Sequence, residues 1–364
     1  MLPACRFDLM AKYLYMLSID KNLKTDFFKE LYIKHLITFN GCKELPDTSR
    51  GESGIAKNNV NDFIISFNNL IENLNKNGYD ERFPIPIGNN GIIINGAHRL
   101  VASYYYNVVP KIINLNEEGN VGYNYSFFLN RNGNPKLEEK YADTMALEYV
   151  KHNPNVRTMI IYPVAFETNK IREVVEIINK YGYIYYHKVI DLNLKGVNNL
   201  IKEMYRGEEW IGGMFPNGWS PGGKAQRCVI NDEKNSILYI SICMNDVAKC
   251  VELKEKCRQI FNIGKHSLHI SDYTSDTYRI SSSLLNINSI YFLNNGSNDI
   301  YSNKKELLIH YFNTNENNKD DILITEMNED KINYIKINED DEKLYNPINF
   351  YYFNGYKIYK DIKL

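Results

Sequence analysis

The sequence predicts a mixed α/β protein: an α+β N-terminal part followed by an alternating α/β layered domain. Three observations point there. Apolar residues recur at helical spacing through the first 76 positions. Beyond about residue 155, apolar strand-like runs alternate with helix-length periodic segments. The chain has 364 residues, 44% hydrophobic and 24% charged, an ordinary composition for about two globular domains. Asn153-Pro154-Asn155 supplies a boundary, so the expected domains are 1–155 and 156–364.

Taken in order, 7–19 and 25–39 read as helices. In the second, Phe28, Leu31, Tyr32 and Leu36 share a face, and Asn40-Gly41 stops it as a left-handed cap. A polar loop covers 44–59. A third helix over 61–76 carries Phe63, Phe67, Leu70, Ile71 and Leu74 on one side. Pro84–Ile87 is extended, because residues before proline avoid the α region. Asn89-Asn90-Gly91 signals a turn, Ile92–Ile94 reads as a buried strand, Ala97–Tyr106 as a helix and 109–113 as a strand. Residues 116–137 lack periodicity and read as a flexible connection before a helix at 138–151.

In the second half, strands are expected at 158–166, 183–191, 227–231, 236–243, 266–271, 289–294 and 322–326. Helices are expected at 169–181, 196–205, 247–261, 274–286 and 303–312, and a polar loop at 313–321. Residues 346–364 are aromatic and strand-like up to the terminus. That fits either a docked last strand or a fragment of a longer, C-terminally truncated protein.

Charge excludes several functions. Forty-three Lys and Arg stand against 44 Asp and Glu, so no global basic field draws in nucleic acid, and any phosphate site must be built locally. No apolar run is long enough for a transmembrane segment. Arg6, Asp8 and Lys12 interrupt the opening segment, which therefore lacks a signal-peptide core. Six scattered cysteines without a CxxC fit buried thiols in a reducing cytoplasm, with Cys250 and Cys257 on one core-facing helix side.

Three clusters could carry chemistry. Asn95-Gly96-Ala97-His98-Arg99 joins a glycine turn to a helix start, where free backbone N–H groups favour an anion. Arg99 adds a planar fork for phosphate oxygens, and His98 can move a proton near neutral pH. Gly264–Asp272 holds Lys265 and His266 to bind a phosphoryl group, with His269 and Asp272 lining a cleft. The alternative there is a buried histidine beside a helix capped by Asp272. The two histidines lie three apart, so a bend is needed for both to face one way. The third cluster, 208–227, places Trp210, Trp219 and five glycines before Lys224 and Arg227, and is either a ligand loop or plain surface. Arg6, Lys12, Glu30 and His35 form surface salt bridges or reach the 95–99 turn. Glu30 and His35 lie about 140° apart around their helix and are no dyad by themselves. His152, His187 and His310 read as structural.

Asn95-Gly96-Ala97-His98-Arg99-Leu100-Val101-Ala102 resembles the D/N-G-x-H-R-x-x-A motif of the ParB/sulfiredoxin-like fold, closely over about 80–115. That resemblance implies nucleotide-phosphate binding by Asn95, Gly96 and Arg99. Asn95 stands where many members carry Asp, so no catalytic carboxylate is carried over to it. MLPACRFDLMAKYLY, FFKELYIKHLITFNGCKE and NGYDERFPIPIGNNGIIINGAHRL resemble the N-terminal region of campylobacter-type capsule-modifying transferases, the O-methyl phosphoramidate transferases of capsular polysaccharide loci. The matched segments lie within residues 1–100. This second resemblance implies a CMP- or CDP-activated donor, a capsular sugar hydroxyl as acceptor, and a cytoplasmic enzyme.

The expected function is therefore phosphoramidate transfer, a phosphoryl-type reaction. His98 or His269 is the base, and Asp272 orients a histidine or a metal ion. Asn95, Gly96, Arg99, Arg6, Lys224, Arg227, Lys265 and His266 hold phosphate, and all three clusters face one cleft. Mg2+ is the expected counter-ion, with no organic cofactor and no nucleic-acid partner. The alternatives are a ParB-like nucleotide-dependent small-molecule kinase and a non-catalytic nucleotide-binding regulatory module.

Overall fold

The computed structural model describes residues 2–23, 26–44, 57–119, 121–131, 133–213, 222–296, 322–327, 332–336 and 346–362. The expected helix at 303–312 and loop at 313–321 lie outside them, as do His310 and Trp219. The chain is mixed α/β and divides into two compact units, Met1–Met145 and Ala146–Leu364. The division falls inside the helix Glu139–His152, ahead of Asn153-Pro154-Asn155. Among the described residues no helix is long and apolar enough to cross a membrane.

Unit 1 opens with α1 (Leu9–Asp20), whose residues Leu9–Met16 are all buried, as expected of a helix apolar on every side. It packs on α2 (Phe27–Asn40), with the Tyr15 and Tyr32 rings stacked at 4.7 Å. Gly41 ends α2 at φ 65°, the expected left-handed cap. Asn59 caps α3 (Val60–Asn77) by accepting from Asp62 N–H. Strand β1 (Ile85–Ile87) pairs in parallel with β2 (Ile112–Asn114), and α4 (Ala97–Tyr105) lies between them in sequence.

Two expectations fail here. Ile92–Ile94 forms no strand: one bridge joins Ile93 to Ile87, and Gly88 N–H donates to Ile92 O, so the segment folds back as a tight loop. The supposed flexible connection contains a short helix, α5 (Tyr125–Leu129), capped by Asn124. Tyr123, Phe127 and Phe128 anchor it on Phe7, His35 and Phe39. Long-range aromatic contacts thus order a stretch that has no periodicity of its own. The helix α6 (Glu139–His152) leads into unit 2.

Unit 2 centres on a four-stranded sheet of β3 (Val156–Ile161), β4 (Gly182–Leu192), β5 (Asn235–Met244) and β6 (Leu268–Ile270). Its order is β4-β5-β3-β6, antiparallel throughout. β3 and β4 run parallel on either side of β5, and β5 and β6 run parallel on either side of β3, so the helical connections β3 to β4 and β5 to β6 are split crossovers with one antiparallel strand between the joined pair. Pro163 stops β3 and starts a helical turn, α7 (Pro163–Phe166). On one face α8 (Ile171–Tyr181) and α11 (Cys250–Phe261) bury Ile178, Leu253 and both core cysteines against Met159, Ile240, Leu268 and Ile270. On the other face lie α9 (Leu194–Met204) and α12 (Thr274–Leu284), followed by α13 (Ile287–Asn295).

Two expected strands do not form. Residues 227–231 overlap α10 (Lys224–Cys228), which starts after Gly222 and Gly223 turn the chain through the left-handed region. Residues 289–294 lie in α13, because Asn286 caps it through Ser289 N–H at 2.9 Å. A second sheet contains β7 (Ile322–Met327), β8 (Ile332–Lys336), β9 (Phe350–Phe353) and β10 (Tyr356–Tyr359), in the order β8-β7-β10-β9. Asn354 and Gly355, at φ 52° and 80°, make the tight turn between β9 and β10.

Candidate functional site

Unit 2 holds a cavity of about 530 Å³. Alternation along β6 places Leu268 and Ile270 in the hydrophobic core and His269 on the opposite face, edge-on to the Tyr205 ring at 4.8 Å. The bend required by the histidine spacing is a 3-10 turn, Gly264–His266, which brings His266 and Lys265 to the same cavity as His269. Lys224 and Arg227 arrive from α10. The Lys224 ammonium donates to Lys265 O at 2.8 Å and lies over the Tyr162 and Tyr205 rings. Six sequence-predicted site residues are thus gathered: Lys224, Arg227, Lys265, His266, His269 and Asp272.

The sequence reasoning missed four more cations here, Lys254 and Arg258 on α11, Arg279 on α12, and Arg206. A signal was available: Lys254 and Arg258 are like charges one turn apart, a pairing that weakens a helix unless something offsets it. Seven Lys and Arg side chains line this cavity against three carboxylates, Glu208, Asp272 and Asp276. Two of those carboxylates are engaged, Asp272 with Lys254 at 2.6 Å and Asp276 with Arg279 at 2.9 Å. Asp272 therefore neither caps α12, whose N-cap is Tyr273, nor orients a histidine. With both tied to ammonium or guanidinium groups, Glu208 is the carboxylate of this cavity that could join substrate phosphates in holding Mg2+.

Burial, and then the Lys254, Lys224, Arg258 and Arg279 charges, hold the His269 imidazole well below its ordinary range. It is neutral at pH 7 and can accept a proton. Burial also lowers His266 and Lys224 and pushes the Tyr205 phenol up to about 12. A buried hydroxyl network fixes the strand behind His269. Ser271 Oγ takes Thr158 N–H at 2.9 Å and meets Thr277 Oγ1 at 2.7 Å, while Ser281 Oγ meets Thr158 Oγ1 and Tyr239 OH at 2.8 Å.

In unit 1, Asn95, Gly96, His98, Arg99 and Arg6 line a separate cavity of about 720 Å³. Gly96 sits at φ 83° as the N-cap of α4. Its N–H donates to Asn95 Oδ1 at 2.6 Å. Arg99 folds over the turn and donates to Phe83 O at 3.0 Å. The Gly96 N–H and one of the five Arg99 N–H donors are thus engaged internally. His98 Nε2 lies 2.8 Å from Tyr32 OH and its ring packs on Phe67 at 4.5 Å. Burial and the Lys12 and Lys57 charges keep it well below its ordinary range.

Arg6 is not a surface group. It grips Asp8 with two N–H donors at 2.8 and 2.9 Å, and Lys12 meets the same carboxylate at 2.9 Å, all three at most 4% exposed. Burial would raise the Asp8 carboxyl, but the Lys12 and Arg6 charges overcome it and hold it well below the carboxylate range. His35, expected on a surface helix face, is fully buried beside Phe128 and Phe39. His98 lines the unit 1 cavity and His269 the unit 2 cavity. Compared with known proteins, the chain matches no family model, no curated protein and no solved structure.

Proposed function

We propose that the protein is a phosphoryl-type transferase that moves O-methyl phosphoramidate from a CMP-linked donor to a sugar hydroxyl of a capsular polysaccharide. The supporting observation is the unit 2 cavity, where seven cationic side chains surround a neutral, buried histidine. Such a site neutralises the charge that phosphoryl transfer concentrates on the phosphate oxygens. The identity of donor and acceptor rests on the resemblance of residues 1–100, and the ParB/sulfiredoxin-like character of unit 1 belongs to the same proposal.

In the reaction the acceptor hydroxyl oxygen attacks phosphorus and its proton passes to His269. The bond between phosphorus and the bridging oxygen breaks, and its electron pair leaves with CMP. Lys224, Arg258 and Lys265 hold the departing phosphate. Donor binding brings negative charge beside His269, offsets the cations that depress it, and so raises its basicity when a base is needed.

Calorimetry on the full chain with CMP, CDP, ADP and ATP, with and without Mg2+, tests this. Cytosine nucleotides should bind more tightly than adenine nucleotides. Arg258→Gln should weaken binding by about tenfold or more, the loss of one charge-assisted hydrogen bond. Preference for adenine would favour the small-molecule kinase, and no binding by any of the four would sink the proposal.

A further inference from the structure

The inner end of the unit 1 cavity carries a charge excess with no counterpart. Asp8 serves two cations, Arg6 and Lys12, so the buried triad has a net charge of +1. Elsewhere in the cavity Lys57 pairs with Glu44 at 2.7 Å and Asp80 with Arg82 at 2.7 Å, while Arg99 donates to the neutral Phe83 O at 3.0 Å. An ammonium has three N–H donors. Lys12 spends two, on the Asp8 carboxylate at 2.9 Å and the Asp8 carbonyl at 3.2 Å.

Beside it, His35 lines the same cavity at 0% exposure, and neither ring nitrogen has a hydrogen-bond partner. Leaving a buried polar atom unpaired costs about 1–3 kcal/mol. A neutral imidazole always carries one N–H. The Lys12 charge is felt at that ring. A further cation would be repelled here, whereas an anion would take the spare Lys12 proton and the His35 N–H together. Phe39, Phe67 and Tyr123 supply an aromatic wall for whatever carries the charge.

We propose that this inner end binds a small organic anion, its carboxylate or phosphate head held by Lys12 and His35 and its ring body against Phe39, Phe67 and Tyr123. The site is separate from the transfer chemistry assigned to unit 2 and does not rest on it.

The test uses the full chain with 15N-labelled histidine, His35 being identified by the loss of its signals in His35→Phe. Phenyl phosphate, benzoate, inorganic phosphate and acetate are titrated separately at constant ionic strength. A saturable shift of the His35 ring nitrogens is expected, tighter for the two ring-bearing anions than for the bare ones. The better of phenyl phosphate and benzoate identifies the head group. Lys12→Met should weaken the response by about tenfold or more.

Anions entering unit 2 are read independently on His266 and His269, so failure of the transferase proposal leaves this result standing. His35 signals unmoved up to roughly 100 mM of every anion, where a millimolar site is filled, would overturn the proposal. So would an undiminished response in Lys12→Met, and equal affinity for ring-bearing and bare anions would remove the aromatic wall. If Lys12→Met does not fold, saturation of His35 in the wild-type chain still decides.

Discussion

In unit 1 two buried cations, Arg6 and Lys12, share one carboxylate, Asp8, at 2.8 to 2.9 Å, which fixes both and leaves one positive charge over. In unit 2 Lys224, Arg227 and Lys265 face one cavity with no carboxylate partner among the described residues, and Arg258 lines the same cavity while pairing with Glu255 at 2.6 Å. The first arrangement holds itself together by attraction. The second holds only because something else keeps the cations in place. For α11 that is the opposite face, where Cys250, Leu253, Cys257 and Phe261 are locked in the core and carry Lys254 and Arg258 with them. A shared buried carboxylate makes the unit 1 triad architecture first, with only its excess charge open to an anion; the unit 2 cations, held by independent packing, read wholly as a site awaiting one.

The sharpest way to break this comparison is kinetic. His269→Ala should lower kcat by about 10²–10⁴-fold, the usual contribution of a positioned base, with a smaller change in donor KM. His98→Ala should cost far less, since its Nε2 is already engaged by Tyr32. Steady-state rates for both variants decide it, and the reverse ranking would move the base to unit 1.

Next in size is the stability of the triad. Asp8→Asn leaves two buried cations unpaired and should destabilise the chain by about 3–5 kcal/mol in chemical unfolding. A loss below about 1 kcal/mol, typical of exposed ion pairs, would show that the triad is solvated and not architectural.

The smallest effect expected is on acid stability. His35 and His98 are held neutral in the fold, well below the value near 6.5 that they regain on unfolding. Below pH 6.5 the unfolded chain takes up protons that the folded chain refuses. Their contribution is therefore complete above that pH and is lost as pH falls, by up to about 1.4 kcal/mol per unit for each histidine. Denaturant midpoints at pH 7.5 and 5.5 should show this loss, and His35→Phe should remove one histidine's share. An unchanged slope in that variant would mean that His35 is protonated in the folded chain.

The helices α2 and α3 were legible because their apolar residues share a face at the helical period, and α1 because it is apolar on every side over three turns. Short apolar runs were not. Ile92–Ile94 and 289–294 look alike as strings, and only a long-range pairing or a cap such as Asn286 decides between loop, strand and helix. In the site, dense polar sets at 224–227 and 265–272 stood out. Arg258 did not, because a cation on an amphipathic helix looks like solvated surface until the facing element is known. The engagement of Arg6 by Asp8 was hidden for a related reason: a separation of two residues fixes neither burial nor geometry.

The buried Glu203 ties together parts of the chain 151 residues apart. It pairs with Arg206 at 2.6 Å and accepts a hydrogen bond from Asn354 N–H at 3.1 Å, while the Arg206 guanidinium lies over the Phe353 ring. Arg206 is also a wall of the basic cavity. During synthesis, then, unit 1 can fold long before that wall is braced. A nascent chain that has not yet released the β9–β10 turn from the ribosome leaves the Glu203–Arg206 pair uncovered, so anion binding in unit 2 should appear only after that turn has emerged, well after unit 1 can fold.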